Sequence, residues 1–259
     1  MIKAALDPKP VTPEEWDRRE KEVLGWAKAR PDSTTARLAY AELLSSRAWS
    51  IRGGAYARDV PKDAWKPFRE HLLRARRYLE AEKRIASRSP SYYAQRIVYA
   101  KGLGDVDEAK AAFDEGMARF PGYYPMYFAM LDFLLPKWHG GPKEIERFAR
   151  DATRRTQAAE GEGMYARIYW YAAQSDYEDD LFWTSFARWE QMRAGFEDVV
   201  SRYPDQWNIQ NFAHFACQAE DAETLRGLFD RIMPPIIADA WKGSSSYETC
   251  GRMAGRMKL

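Results

Sequence analysis

The sequence predicts an all-α protein, a right-handed superhelical solenoid of stacked α-α hairpins. Three observations carry that expectation. β-Branched aliphatics are scarce, with seven Val and ten Ile in 259 residues, while Ala, Leu, Arg, Glu and Lys abound, a composition that suits helices and starves strands. Apolar residues recur three and four apart, the period of one helix face. Helix ends repeat one grammar: WAKARPD to Asp32, ASRSPS to Ser91, MARFPG to Gly122 and VSRYPD to Asp205 each set a small or apolar residue, an arginine and a proline before a new helix.

Taken in order, Thr12-Pro13-Glu14-Glu15 supplies an N-cap, a proline at the first helical position and a glutamate at N3. It opens a hairpin of 13–30 with 34–50. Val60-Pro61 opens a long helix with the stripe Trp65, Phe68, Leu72, Ala75 and Leu79, so 61–88 pairs with 91–103. Asp105 and Glu108 form a capping box ahead of the stripe Val106, Ala109, Phe113, Met117 and Phe120, which Pro121 closes. That places 105–120 against 123–137. Gly141-Pro142 starts a helix carrying Ile145, Phe148, Ala149 and Ala152, giving 142–157 with 161–176. Hairpin 185–202 with 206–218 comes next, then a helix near 221–233, Pro234-Pro235, and a Gly/Ser-rich tail with one more short helix. Short connections make neighbours antiparallel and sequential. No linker divides the chain, so 1–259 reads as a single domain with 1–11 and 243–259 as loosely ordered tails.

Composition narrows the function classes. Basic and acidic residues nearly balance, 40 against 38, and they alternate along the helices, which speaks against a nucleic-acid partner. No apolar run reaches the roughly 20 residues of a membrane span. The N-terminal MIKAALDPKP lacks the apolar core of a signal peptide, so a cytoplasmic location is expected. Two cysteines, Cys217 and Cys250, make no disulfide scaffold. His71, His139 and His214 stand alone and are expected to serve as capping or helix-face residues, so no metal, cofactor or catalytic group is expected. The surplus is aromatic: ten Trp and fifteen Tyr imply wet apolar surface as well as core.

From Tyr93 to Pro121 the chain resembles a tetratricopeptide repeat (TPR). The pattern's large residue falls on Tyr93, its mid-repeat glycine on Gly104, its A-x3-F pair on Ala109 and Phe113, its small residue on Gly116 and its closing proline on Pro121. A partial match covers Phe196 to Pro204, with Met192 in place of the alanine. Trp49, Arg52, Gly53, Ala57 and Val60, together with Pro136, Lys137, Trp138, Gly140 and Gly141, are also similar to a group of bacterial TPR-like proteins. His139 is an insertion in the second of these turns, and the likeness spans roughly residues 30 to 175. That resemblance implies a fold and no activity.

The candidate sites come from these turns. Trp49-Ser-Ile-Arg-Gly-Gly and Trp138-His-Gly-Gly each close a hairpin, and the plain structural reading is a glycine stop covered by a tryptophan. The functional reading makes Trp49, Arg52, Tyr56, Arg58, Trp138 and His139 a shared rim for a protein or peptide partner, joined by Tyr169 and Trp170 of the run YARIYWY. The acids of SDYEDD, Ser175 to Asp180, read as a solvated loop, with a cation or a basic partner as the alternative, and they lack calcium-loop spacing. The expectation is thus a non-enzymatic adaptor. Its alternatives are a helical enzyme or small-molecule binder at these turns, using Arg52, His139 and the acids between Glu160 and Asp180, and an immunity or chaperone-like protein.

Overall fold

A computed structural model describes residues 11–241, 243 and 245–257. Every regular element among them is helical, as composition requires. The expected N-terminal tail falls, but for Val11, outside the described residues. Contacts cluster into two compact units, Met1–Met130 and Leu131–Leu259, where the sequence reading takes the chain as one domain; each is described by itself.

The first unit begins with α1 (Pro13–Ala29) and α2 (Thr34–Arg52), then α3 (Trp65–Ala81), the single turn α4 (Lys83–Ala86), α5 (Ser91–Leu103) and α6 (Val106–Arg119). The division falls inside α7 (Tyr124–Leu134). Helices pack against their chain neighbours, α1 on α2, α2 on α3, α3 on α5 and α5 on α6. The expected caps form: Glu15 N–H donates to Thr12 Oγ1 at 3.3 Å, and Glu108 N–H to Asp105 Oδ1 at 3.1 Å. On α3 the apolar stripe sinks into the core, with Phe68, Leu72 and Ala75 fully buried; burying each large side chain is worth about 1.5–3 kcal/mol. The helix expected over 61–88 is interrupted. It starts with a 3-10 turn over Lys62–Ala64, and the ladder breaks at Glu82, whose backbone leaves the helical region. There the Glu82 carboxylate pairs with the buried Arg37 guanidinium at 2.5 Å, a charge-assisted contact.

The residues from Tyr93 to Pro121 are placed by local packing. Gly104 caps α5 in the left-handed region at φ 75°, where glycine has no steric cost. A Cβ on Gly116 would come within 2.5 Å of Met126 Sδ and 2.8 Å of Tyr93 Cβ, so α6 can lie this close only without a side chain. Tyr93, Ala109 and Phe113 are buried around it.

The second unit contains α8 (Pro142–Glu160), α9 (Gly163–Ala172), the short α10 (Leu181–Thr184), α11 (Trp189–Arg202), α12 (Gln206–Gln218), α13 (Ala222–Phe229) and α14 (Tyr247–Met253). Helix α9 packs on α8 and α11, α11 on α12, and α12 on α13 and α14. The C-terminal segment is no loose tail over its described residues, because Cys250 is fully buried and bonded to Cys217 of α12. Among the described residues no helix is long and apolar enough to cross a membrane, and there is no group of three or more metal-ligating side chains.

Gly116→Ala should force Tyr93 or Met126 aside and lower the unfolding free energy by about 1–3 kcal/mol. Gly25→Ala on α1, where an added methyl meets nothing within 4 Å, should instead raise it by about 0.5–1 kcal/mol. Urea midpoints of the two variants measure the contrast.

Candidate functional site

A built cavity lies in the second unit, around α9 and α12, with a volume of about 620 Å³. Its walls start from a close helix approach. A Cβ on Gly195 of α11 would meet the Glu162 carbonyl at 2.7 Å and Ala166 Cβ at 2.8 Å, so α9 lies tight against α11. This sets Trp170 5.7 Å from Phe196 and 5.9 Å from Trp207 (ring centres), while Phe196 stacks on Phe212 at 5.1 Å and on Phe215 at 5.4 Å. Trp170, Trp207 and Phe215 give the cavity its aromatic walls.

The end of α9 shapes the mouth. Where the sequence predicts a regular helix running to 176, residues Ala173–Tyr177 form a π-turn, with the Glu178 N–H reaching back to the Ala173 carbonyl. Such turns insert a residue and re-aim the chain beyond them. Glu178 then adopts φ 46°, a region that a non-glycine residue occupies at a cost of about 1–3 kcal/mol. The turn directs Gln174, Glu178 and Asp179 onto the cavity. Asp179 accepts from Gln218 Nε2 at 3.1 Å. Its carboxylate sits against Gly243, where a Cβ would overlap it and φ is 75°, so glycine is needed there on two counts.

The opposite wall is the C-terminal segment held onto α12. Gln210, fully buried, accepts from the Ile237 N–H at 2.8 Å and from Trp241 Nε1 at 3.1 Å. The Cys217–Cys250 bond fastens α14 to the same helix. Asp239, Ala240 and Gly243 of this segment line the cavity. Two buried α12 side chains complete the lining: Asn211 donates from Nδ2 to the Trp207 carbonyl at 2.8 Å, and His214 sets Nδ1 3.3 Å from the Ser245 carbonyl. A carbonyl only accepts, so Nδ1 carries the proton and Nε2 is the ring nitrogen left for the cavity. Burial lowers the His214 pKa, partly opposed by the Ser245 carbonyl and by the Asp179 charge.

Of the partner-binding residues singled out from sequence, Trp170 alone lines this cavity, joined by Glu178 and Asp179 from the acids of the alternative reading. Tyr169 is turned to α8, its OH donating to Glu146 Oε2 at 2.6 Å, and burial holds its pKa far above the ordinary phenol value. Trp138 and His139 fold back over the end of α7: His139 N–H donates to the Phe133 carbonyl at 3.1 Å, with the rings 4.7 Å apart. A Cβ at Gly140 would overlap the Leu134 carbonyl oxygen. In the first unit Arg52 is buried and donates to the carbonyls of Gly53 at 3.0 Å and Ala55 at 3.1 Å, clamping the turn that Gly53 opens at φ 71°. Trp49 packs edge-on against Phe68 at 5.0 Å. Tyr56 and Arg58 stack on each other in the open, the guanidinium 5.6 Å from the ring. Both turns stop a helix, with Gly53 capping α2 and His139 closing on the end of α7.

The residues missed lie in segments read as a solvated loop, a tail and helix-face histidines. A signal existed: QWNIQNFAHFACQ contains no Asp, Glu, Lys or Arg, and Asn208 through Cys217 are all buried. A helix buried on every side must be covered by further chain.

Because the folded state holds His214 below its ordinary pKa, the unfolded chain binds the extra proton first, and stability falls as pH drops below about 6.5. His71, also lowered by burial, adds to the slope. His214→Gln, whose amide can still donate to Ser245, should flatten the fall in urea midpoint between roughly pH 7 and 5.5 without abolishing it. Compared with protein-family models, curated proteins and solved structures, the chain matches none.

Proposed function

We propose that this is a non-enzymatic interaction protein, an adaptor or scaffold of TPR-like superhelical hairpins, and that the cavity between α9, α12 and the C-terminal segment receives a side chain or short segment of a protein partner. The observation that supports this reading is the cavity lining: aromatic walls with a few convergent polar groups, within the size range of ligand sites. Trp207 is 37% exposed at its mouth, the half-wet state typical of an interface anchor. Helix α10 comes directly after the cavity-lining turn, and its neighbourhood leaves Trp183 82% and Phe186 48% exposed. Isolated large apolar groups of this kind next to a pocket suit a macromolecular partner better than a free metabolite.

A disulfide persists in oxidising compartments, so the Cys217–Cys250 bond supports such a location over the cytoplasmic one suggested by the N-terminal residues. A partner outside the reducing cytosol is therefore part of the reading.

Selection of a displayed random peptide library against the full chain tests it. Selected peptides should lose about tenfold or more in affinity on Trp207→Ala, measured by titration calorimetry. Tyr56→Ala tests the competing contact at the first unit's exposed turn. If a folded Trp207→Ala protein binds every selected peptide as the wild type does, the cavity is not the partner site.

A further inference from the structure

Helix α10 is tethered by its neighbours and still leaves aromatic surface in solvent. Leu181 is fully buried, Phe182 meets Trp189 of α11 edge-on at 6.0 Å, and Tyr177, just ahead, is buried. Trp183 nevertheless stays 82% exposed, and Phe186, three residues on, 48%. A single exposed apolar side chain is ordinary. Two large aromatics in one short, anchored stretch make a docking face, since Trp and Phe serve as anchors where proteins meet.

Charge decides the occupant. The whole chain balances 40 basic residues with 38 acidic ones, but from Ile168 to Ala187 it holds Asp176, Glu178, Asp179 and Asp180 and no Lys or Arg. Glu178 and Asp180 are exposed, and neither has an ion-pair partner among the described residues. Asp180 stands directly before α10, three residues ahead of Trp183, while Glu178 also lines the cavity. Lys137, which touches this stretch, donates to the Ser175 carbonyl at 2.6 Å, and Arg188 beyond it donates to Gln191 Oε1 at 2.9 Å. Such a face repels nucleic acid, phosphorylated ligands and anionic lipid. A purely apolar partner would strip water from the carboxylates without replacing it. A segment that sets Lys or Arg beside a large apolar residue suits both halves, because the cation meets the carboxylates and the apolar group packs on the aromatics.

Resting on the partner-binding reading above, we propose that the α10 face, with Trp183 and Phe186 as apolar anchors and Glu178 and Asp180 as counter-charges, docks a basic segment of a partner protein in which Lys or Arg stands beside Trp, Phe or Leu.

The test selects a displayed random peptide library on the full chain and counter-selects it on Asp180→Lys and on Trp183→Ala. Both positions are exposed, so both variants should keep the wild-type urea midpoint. Peptides removed by counter-selection should carry Lys or Arg within a few residues of Trp, Phe or Leu. Resynthesised, they should lose about tenfold in affinity on either variant by calorimetry and weaken as salt is raised. Acidic or uncharged peptides at this face, or basic ones that bind both variants as they bind the wild type, overturn the proposal. Binding that is lost on Trp207→Ala and indifferent to Asp180→Lys and Trp183→Ala overturns the α10 face and leaves the cavity as the partner site; the reverse pattern keeps the α10 face and removes the cavity. Dimerisation in sedimentation that Asp180→Lys abolishes makes a second copy the occupant, and binding to phosphatidylcholine vesicles that Trp183→Ala abolishes makes it a lipid surface. Either result overturns the proposal, and a selection that yields no binder overturns it together with the partner reading.

Discussion

Two helix pairs meet at a glycine, and much of each unit depends on that contact. In the first unit Gly116 lets α6 lie against Tyr93 of α5. In the second, Gly195 lets α11 press on Ala166 and on the carbonyl of Glu162. Helix axes can come this close only where the facing position has no side chain. Large aromatics then fill the space beside the contact: Tyr93 with Phe113 in one case, Trp170 with Phe196 in the other. The second contact has a further effect. It sets the position of Trp170, and with it one wall of the cavity.

Helix positions and caps are legible in the sequence because they depend on local chemistry. Thr12 and Asp105 cap as their spacing to Glu15 and Glu108 implies, and the α3 stripe is buried as its period requires. The ion pair at Glu82 is not legible, since its partner Arg37 lies 45 residues away in sequence. The same holds for the candidate site. Trp170 stands out through its aromatic run, but Asn211, His214 and Asp239 acquire their roles from segments that meet only in the folded chain. The π-turn after α9 has no sequence signature of its own, so SDYEDD reads as plain solvated loop.

Helix α12 shows how a structural demand shapes the cavity lining. Its residues from Asn208 to Cys217 are all buried, so it carries polar groups that need partners inside the protein. Gln210 finds them in the C-terminal segment, with Ile237 and Trp241 as donors. Asn211 and His214 are satisfied on one atom each, by Trp207 and Ser245. The cavity opens beside these two side chains, which links the burial of one helix to the lining of that space.

The Cys217–Cys250 bond has a consequence for how the chain matures. The sequence contains two cysteines, so one intramolecular pairing exists and oxidation has no scrambled isomer to sort out. The competing product is a covalent dimer joined between chains. Both sulfurs are buried once α14 has docked, with Cys250 fully enclosed and Cys217 only 4% exposed, so that side reaction belongs to the period before docking. The C-terminal helix therefore shields the two sulfurs that it helps to join.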